Sequence, residues 1–371
     1  MKPSTTSRNS AQLLDSFKDH QIARRLLDKI NSRTTAATIM EVCGTHTTAI
    51  FATGIREGLS ERIRLVSGPG CPVCVTPLES IERAIHLARR ENTVLFCFGD
   101  MLRVPGASCS LESARAEQGA QVKVMYSPLE ALEHAKKERG TDVVLFGVGF
   151  ETTIPLFASC LQRAAALRKN NLYLLTAYKL IPPALDDLLS SDDARVDGFL
   201  LPGHVSSIIG EGAYQFMANR YRTPGVITGF EAVDILEGIW LLLDMIERRE
   251  PTIKNQYARF VSHCGNRQAQ DIISTAFTTC DSRWRGLGKI RDSGIKLADD
   301  FRRFDAETLI DSEIGPLSEP EGCSCGDVIA GKLTPTDCTL FGSACTPAHP
   351  VGPCMVSREG SCAAYHNYGG R

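Results

Sequence analysis

Apolar positions along the chain fall into short continuous runs separated by longer segments of helical periodicity. Runs rich in Val, Leu, Ile and Phe occupy residues 38–42, 62–66, 93–98, 121–126, 142–148, 172–177, 196–201 and 225–228. A strand that is apolar on both sides needs cover on both faces, which is the condition inside a parallel sheet flanked by helices. The intervening segments supply those helices. PLESIERAIHLARR (77–90) and PLEALEHAKKER (128–139) repeat their apolar residues three and four apart, and each opens on a proline suited to a first helical turn. The pattern predicts an α/β protein with two parallel-sheet α/β domains in series, over residues 1–120 and 121–250. After a long helix expected over 231–249 the rhythm stops. Residues 251–371 read as a third, mainly helical and loop-like domain. The tripeptide Gly-Phe-Glu follows a strand at 149–151 and again at 229–231, too short a match to establish an internal repeat.

Composition narrows the function classes. The 371 residues exceed what one compact core usually spans, and 41 basic against 43 acidic residues give a net charge of -2. That balance offers no electrostatic reason to expect nucleic acid or an anionic membrane as partner. The start, MKPSTTSRNSAQLLDSFKDH, lacks the apolar segment of a signal peptide, and the most apolar helical run, GIWLLLDMI, is too short for a span and carries Asp244. A soluble cytoplasmic protein is expected. In a reducing compartment its 14 cysteines point to metal or redox chemistry and not to a disulfide framework.

Six of those cysteines lie in the tail, where Gly, Pro and Ser dominate: Cys323, Cys325, Cys338, Cys345, Cys354 and Cys362, with gaps of 1, 12, 6, 8 and 7 residues. Such a segment buries too little apolar surface to fold alone, so something else must hold it. Four thiolates suffice for a structural zinc or a cubane iron-sulfur cluster, leaving two over. The wide, irregular gaps favour the cluster, and the surplus pair could form a dithiol beside it.

A second pair, Cys71 and Cys74 in GPGCPVCVTP, stands between a strand and a helix. Backbone amides at a helix entrance favour a thiolate there, as in thioredoxin-like dithiols. Half of a metal site and two buried structural thiols are the alternatives. Cys43, in EVCGTHT, sits just past the first strand with His46 three residues on. Ligands of open parallel sheets collect at the carboxyl ends of strands, an edge that also carries Asp100, Glu151 and His204. Thiol, imidazole and carboxylate should converge there, a set suited to a soft metal ion or to nucleophilic catalysis. Gly147 and Gly149 begin a dinucleotide fingerprint, but Thr152 stands at the third glycine. Cys97 and Cys160 read as buried apolar residues.

Taken together, EVCGTHT, SGPGCPVCVTP, GFETT, LPGHVS and the tail from DCTLFGSACTP through GPCMVSREGSCAAY resemble the HypD family, the maturation factors of NiFe-hydrogenases. The likeness runs from about residue 38 to the end. It implies a scaffold that, with the small chaperone HypC, assembles an iron carrying two cyanides and one carbon monoxide for transfer to the hydrogenase large subunit. It implies docking of HypE, which presents the cyanide precursor made with HypF. Cys43 would bind that iron(II) together with the N-terminal cysteine of HypC, with His46 and the threonines of GTHT around it. Cys71 and Cys74 would be a redox dithiol nearby, and the tail would hold a 4Fe-4S cluster, an arrangement similar to ferredoxin-thioredoxin reductase. Among the tail cysteines, Cys323, Cys338, Cys345 and Cys362 are expected to bind the cluster and Cys325 and Cys354 to form a redox pair, because neighbouring C-x-C sulfurs diverge. A stand-alone iron-sulfur thiol-disulfide oxidoreductase is the alternative, and it would have no need of Cys43 with His46.

Overall fold

The computed structural model describes residues 19–117, 119–191, 196–311 and 317–369. Most of the opening segment read above therefore lies outside the described residues. All eight expected strands form: β1 (Ala37–Glu41), β2 (Ile63–Ser67), β3 (Thr93–Cys97), β4 (Val122–Val124), β5 (Asp142–Gly147), β6 (Leu172–Thr176), β7 (Gly198–Pro202) and β8 (Gly225–Thr228). A short ninth, β9 (Ile253–Asn255), joins them. They make two sheets, one ordered β2-β1-β7-β8-β9 and the other β4-β3-β5-β6, and every pairing in both is parallel.

The grouping of strands does not follow chain order across residue 120. The chain builds two strands of the first sheet, leaves to build the whole second sheet, and returns; Ile39 of β1 lies opposite Gly198 of β7. Parallel pairing is fixed by which apolar faces need covering, and a contact between strands this far apart leaves no local signature. Two outer cores cover the far faces of the sheets. One gathers Ile39, Leu65, Leu200, Val226 and Ile239 of the helix Ala232–Arg248. The other gathers Val143, Leu145, Leu172 and Phe157 of the helix Ile154–Ala166. Between them a central core takes Met40 and Val42 from one sheet, Leu95 and Phe146 from the other, and Cys71, Cys74, Cys325, Cys345, Cys354 and Cys362.

Beyond residue 251 the structure holds an element that the apolar runs do not announce. Strands β10 (Phe277–Trp284) and β11 (Gly288–Leu297) form an antiparallel hairpin. Its sides alternate between solvent and core, and its register shifts between Cys280 and Ser282, so no continuous apolar run appears. Trp284, 1% exposed, anchors it, donating to Ser293 Oγ at 2.8 Å and stacking on Phe150 with ring centroids 6.1 Å apart.

The hairpin turn then meets the tail. Arg285 N donates to the Val75 carbonyl at 2.9 Å, at the end of the helix Pro72–Val75. Gly286 holds φ +80°, and a Cβ there would overlap the Cα of Gly326 in the helix Cys325–Ile329. The tail helix Ser361–Tyr368 packs on the helix Gly44–Ala52, with Tyr365 edge-on to Phe51 at 4.5 Å. As expected for a segment without a core of its own, the tail is held by the rest of the chain.

Gly286→Ala should lower stability by on the order of 1–3 kcal/mol from its left-handed backbone alone, with a further loss from the Gly326 overlap. Denaturant unfolding checks the first effect, and faster limited proteolysis within 317–369 checks that the loss loosens tail docking.

Candidate functional site

In each sheet the strand order reverses at one point, and the crevice outside the strand ends there is where an open parallel sheet offers a binding site. For the first sheet that point lies between β1 and β7, which run into Cys43 and His204. Cys43 caps the helix Gly44–Ala52 and is 8% exposed. The dithiol loop presses directly on it: Gly44 N donates to the Gly70 carbonyl at 3.1 Å, and a Cβ on Gly70 would strike the backbone of Cys43. From the other side comes the tail. Thr45 Oγ1 donates to Glu359 Oε1 at 2.8 Å and Thr48 Oγ1 to the Arg358 carbonyl at 3.0 Å. Burial pushes the Cys43 thiol up to about 11, helped by the Glu359 charge, while the Thr45 hydroxyl and the amides of His46 and Thr45 pull the other way.

His46 is fully buried. Its Nε2 lies 3.0 Å from both the Gly229 carbonyl and Thr228 Oγ1. A carbonyl only accepts, which places the proton on Nε2 and leaves Nδ1 a bare lone pair with no partner. The ring stacks on Phe230 at 4.7 Å, and the opposite face of the stack is His204 at 3.9 Å. Burial drives the His46 pKa down to about 4. At the end of β1, Glu41 is 1% exposed and accepts from Ser67 Oγ at 3.1 Å and Thr47 Oγ1 at 3.5 Å. Burial raises its pKa to about 7 against the opposing pull of Arg56.

Cys71 and Cys74 are joined as a disulfide, and Cys71 Sγ, capping the helix Pro72–Val75, accepts from Cys74 N at 3.1 Å. Two tail helices pack on that short helix: Cys325–Ile329, and Pro353–Val356, which carries Cys354. The neighbouring thiols of Cys325 and Cys362, with burial adding, hold Cys354 well above the usual thiol range, and those of Cys325 and Cys354 push Cys362 down to about 5. The neighbouring Cys325 thiol raises Cys323, with burial adding and Arg285 opposing. A Cβ on Gly352 would sit 2.6 Å from Cys325 Sγ and 2.7 Å from Cys323 Sγ. Cys345 Sγ accepts from Val351 N at 3.4 Å, and half-buried Cys338 points its sulfur at the Gly322 carbonyl.

Residues 21–369 match the family model HypD, described as the hydrogenase formation hypA family. The chain is 42% identical over 331 residues to the hydrogenase maturation factor HypD of Escherichia coli, covering 89% of this chain and 88% of that protein. It is 40% identical over 366 residues to HypD of Azotobacter vinelandii, covering 96% of each. Against HypD of Rhodobacter capsulatus it is 40% identical over 367 residues, covering 95% of this chain and 97% of that one. The chain belongs to the HypD family.

In this HypD-family chain the strand ends bring Cys43, His46, Cys71, Cys74 and His204 to one region, with the tail thiols behind the dithiol. Asp100 faces the tail, accepting from Ser357 Oγ at 3.3 Å. Glu151 is turned elsewhere. Its Oε1 accepts from Ile181 N at 2.9 Å, and it lines an apolar cavity of about 360 Å³ between Leu180, Ile208 and the hairpin; burial raises its pKa to about 7. Cys97 and Cys160 are buried in the cores. Among the described residues no helix is long and apolar enough to cross a membrane. Sequence reasoning missed Glu41, Phe230, Arg285 and Glu359. Only Phe230 carried a signal, since it stands in the second Gly-Phe-Glu, as Phe150 of the first stacks on Trp284.

Among the described residues no three Cys, His, Asp or Glu stand in a ready-made ligand arrangement. The donor set nevertheless fits an iron-sulfur cluster. The thiols of Cys325, Cys345, Cys354 and Cys362 lie in one buried core with half-buried Cys323 packed against it, soft donors suited to iron, and buried Arg285 leaves its Nη1 without a partner.

His46 makes stability depend on pH. Its folded pKa, about 4, lies below the ordinary 6.5, so the stability it contributes is complete above pH 6.5 and is lost as pH falls toward 4. Glu41 and Glu151, raised from 4.5 to about 7, act in the opposite sense over the same range. The comparison that isolates the histidine is wild type against His46→Gln. Their stability difference should shrink by on the order of 3 kcal/mol between pH 6.5 and 4, read from denaturant midpoints across that window; a constant difference would mean that the imidazole is charged in the fold.

Proposed function

We propose that this hydrogenase maturation factor is an assembly scaffold: it holds a low-spin iron(II) at Cys43 while two cyanides and one carbon monoxide are added, and it supplies reducing equivalents through a chain of thiols. A HypC-type chaperone would complete the iron site with its N-terminal cysteine, a HypE-type protein would bring the cyanide precursor prepared with HypF, and the hydrogenase large subunit would receive the product. The observation that carries this reading is the meeting of three thiol systems: the Cys71–Cys74 loop presses on Cys43 through Gly70, and the helices bearing Cys325 and Cys354 pack on Cys71–Cys74.

Cys43 receives the cargo iron. With burial and Glu359 holding it as a neutral thiol, binding of the cation releases the proton, and the same carboxylate that disfavours a bare thiolate favours the iron-thiolate. His46, neutral at pH 7, presents its Nδ1 lone pair as acceptor or ligand, held in place by Gly229, Thr228 and the Phe230 stack.

Cys323, Cys338, Cys345 and Cys362 would hold a 4Fe-4S cluster, which when bound supplies electrons one at a time. Cys325 and Cys354, both buried, would gather two electrons and two protons as a dithiol. Exchange with the Cys71–Cys74 disulfide conserves both: one disulfide forms in the tail as the other opens beside Cys43, by way of one mixed disulfide. The dithiol so formed keeps the iron site reduced.

Cys43→Ser should abolish hydrogenase maturation while sparing the tail chromophore. In anaerobically purified protein co-expressed with the chaperone partner, infrared bands of metal-bound cyanide and carbon monoxide should be present in wild type and absent in the variant. Normal hydrogenase activity in cells carrying Cys43→Ser would refute the scaffold reading. Visible absorbance assigns the tail: Cys325→Ser and Cys354→Ser should keep the cluster bands, whereas Cys345→Ser and Cys362→Ser should lose them. Loss of those bands in either of the first two variants would overturn the division of roles.

A further inference from the structure

We propose that Arg285 is the built-in counter-ion of the tail thiol group and raises the reduction potential of the cluster held there. The inference rests on the cluster reading above and concerns a residue outside the cysteine motifs. The Arg285 side chain is 3% exposed, and its Nη1 is buried with no hydrogen-bond partner. Among the described residues its one ion pair runs from Nε to Glu319 Oε1 at 3.0 Å, and that carboxylate is half exposed to water, so it compensates the guanidinium weakly. A buried cation left this way requires an anion close by.

The surroundings are thiol-rich. Arg285 sits at the hairpin turn wedged between the helix Pro72–Val75, which carries Cys74, and the helix Cys325–Ile329, against which the adjoining Gly286 packs. A purely structural role does not account for the side chain. The staple to Val75 is made by the Arg285 backbone amide, which almost any residue would supply. The close turn against Gly326 is made by Gly286. What arginine adds is a fixed positive charge, always present and weakly hydrated, behind the sulfurs.

A cluster on thiolates is anionic, and one-electron reduction adds a further negative charge to it. A fixed cation nearby stabilises the reduced form more than the oxidised form and so moves the potential upward. Glu319 works against it, so removing either group should shift the potential in opposite directions.

The test uses the full chain, reconstituted anaerobically with iron and sulfide, and a dithionite titration followed by electron paramagnetic resonance. Arg285→Gln should make the cluster about tenfold harder to reduce at a fixed potential, ~59 mV for one electron. Arg285→Lys, which keeps the charge, should stay within a third of that shift, and Glu319→Gln should move the potential upward. If Arg285→Gln holds no cluster while Arg285→Lys holds one at the wild-type potential, the requirement for charge stands. A wild-type potential in Arg285→Gln, an equal shift in Arg285→Lys, loss of the cluster in both, or a downward shift in Glu319→Gln overturns the counter-ion role. Wild-type protein that takes up no cluster sinks the cofactor reading itself, seen in iron content before any potential is measured, and the counter-ion role falls with it.

Discussion

Direct contact between backbones at glycines is the constraint on which the rest of the molecule depends. Gly70 lies against the backbone of Cys43, Gly44 against the carbonyl of Glu359, and Gly286 against Gly326. No side chain fits between the chains at any of these points. Because of them, the end of β1, the dithiol loop, the tail strap and the hairpin turn form one packed unit. The tail has only short helices, well below the length at which a helix persists alone, and their order is borrowed from these contacts. Cysteines at loop ends would otherwise sample many positions; here the backbone of Cys43 is held against Gly70, and Cys325 adjoins the Gly286–Gly326 contact.

How much of this the sequence announces depends on the range over which each signal acts. A strand buried on both faces writes itself as a continuous apolar run, and β1 to β8 were legible within a residue or two. Which strands pair was not, because Ile39 meets Gly198 only after an entire second sheet has intervened. The hairpin was hidden by its own geometry, since one polar face and a bulge dilute the period. At the site, the rule of strand ends pointed to Cys43, His46 and His204, which the fold brings together, and to Glu151, which it does not; the spacing of Cys71 and Cys74 pointed to a pair that is joined as a disulfide. The rule gave no sign that Phe230 would join the two histidines, nor that Glu41, a carboxylate ending a strand, would point inward. The gaps between the tail cysteines likewise say nothing of the contacts joining Cys325, Cys354 and Cys362, since loops of six to twelve residues close at nearly the same entropic cost.

The ionisable groups near Cys43 share one electrostatic state. Burial lifts the thiol of Cys43 to about 11 and the carboxyl of Glu41 to about 7, and it lowers the imidazole of His46 to about 4. At neutral pH the thiol and the imidazole are uncharged and the carboxyl stands at its midpoint. On the proposed iron site, a cleft that suppresses charge would make deprotonation and cation binding one event, a soft divalent ion displacing a proton from sulfur. The same burial disfavours the thiolate, which is the form that oxygen and stray disulfides attack.

The tail obeys the same physics with the opposite outcome. There the thiols of Cys325 and Cys354 lower that of Cys362 to about 5, while those of Cys325 and Cys362 raise that of Cys354. The buried Arg285 stands at the hairpin turn that abuts the helix Cys325–Ile329. Between the tail and the cleft stands the Cys71–Cys74 helix, touched by both. On the proposed relay an electron pair would cross there by thiol-disulfide exchange, which moves electrons and protons together, and the packing of the tail helices on Pro72–Val75 would supply the place for it.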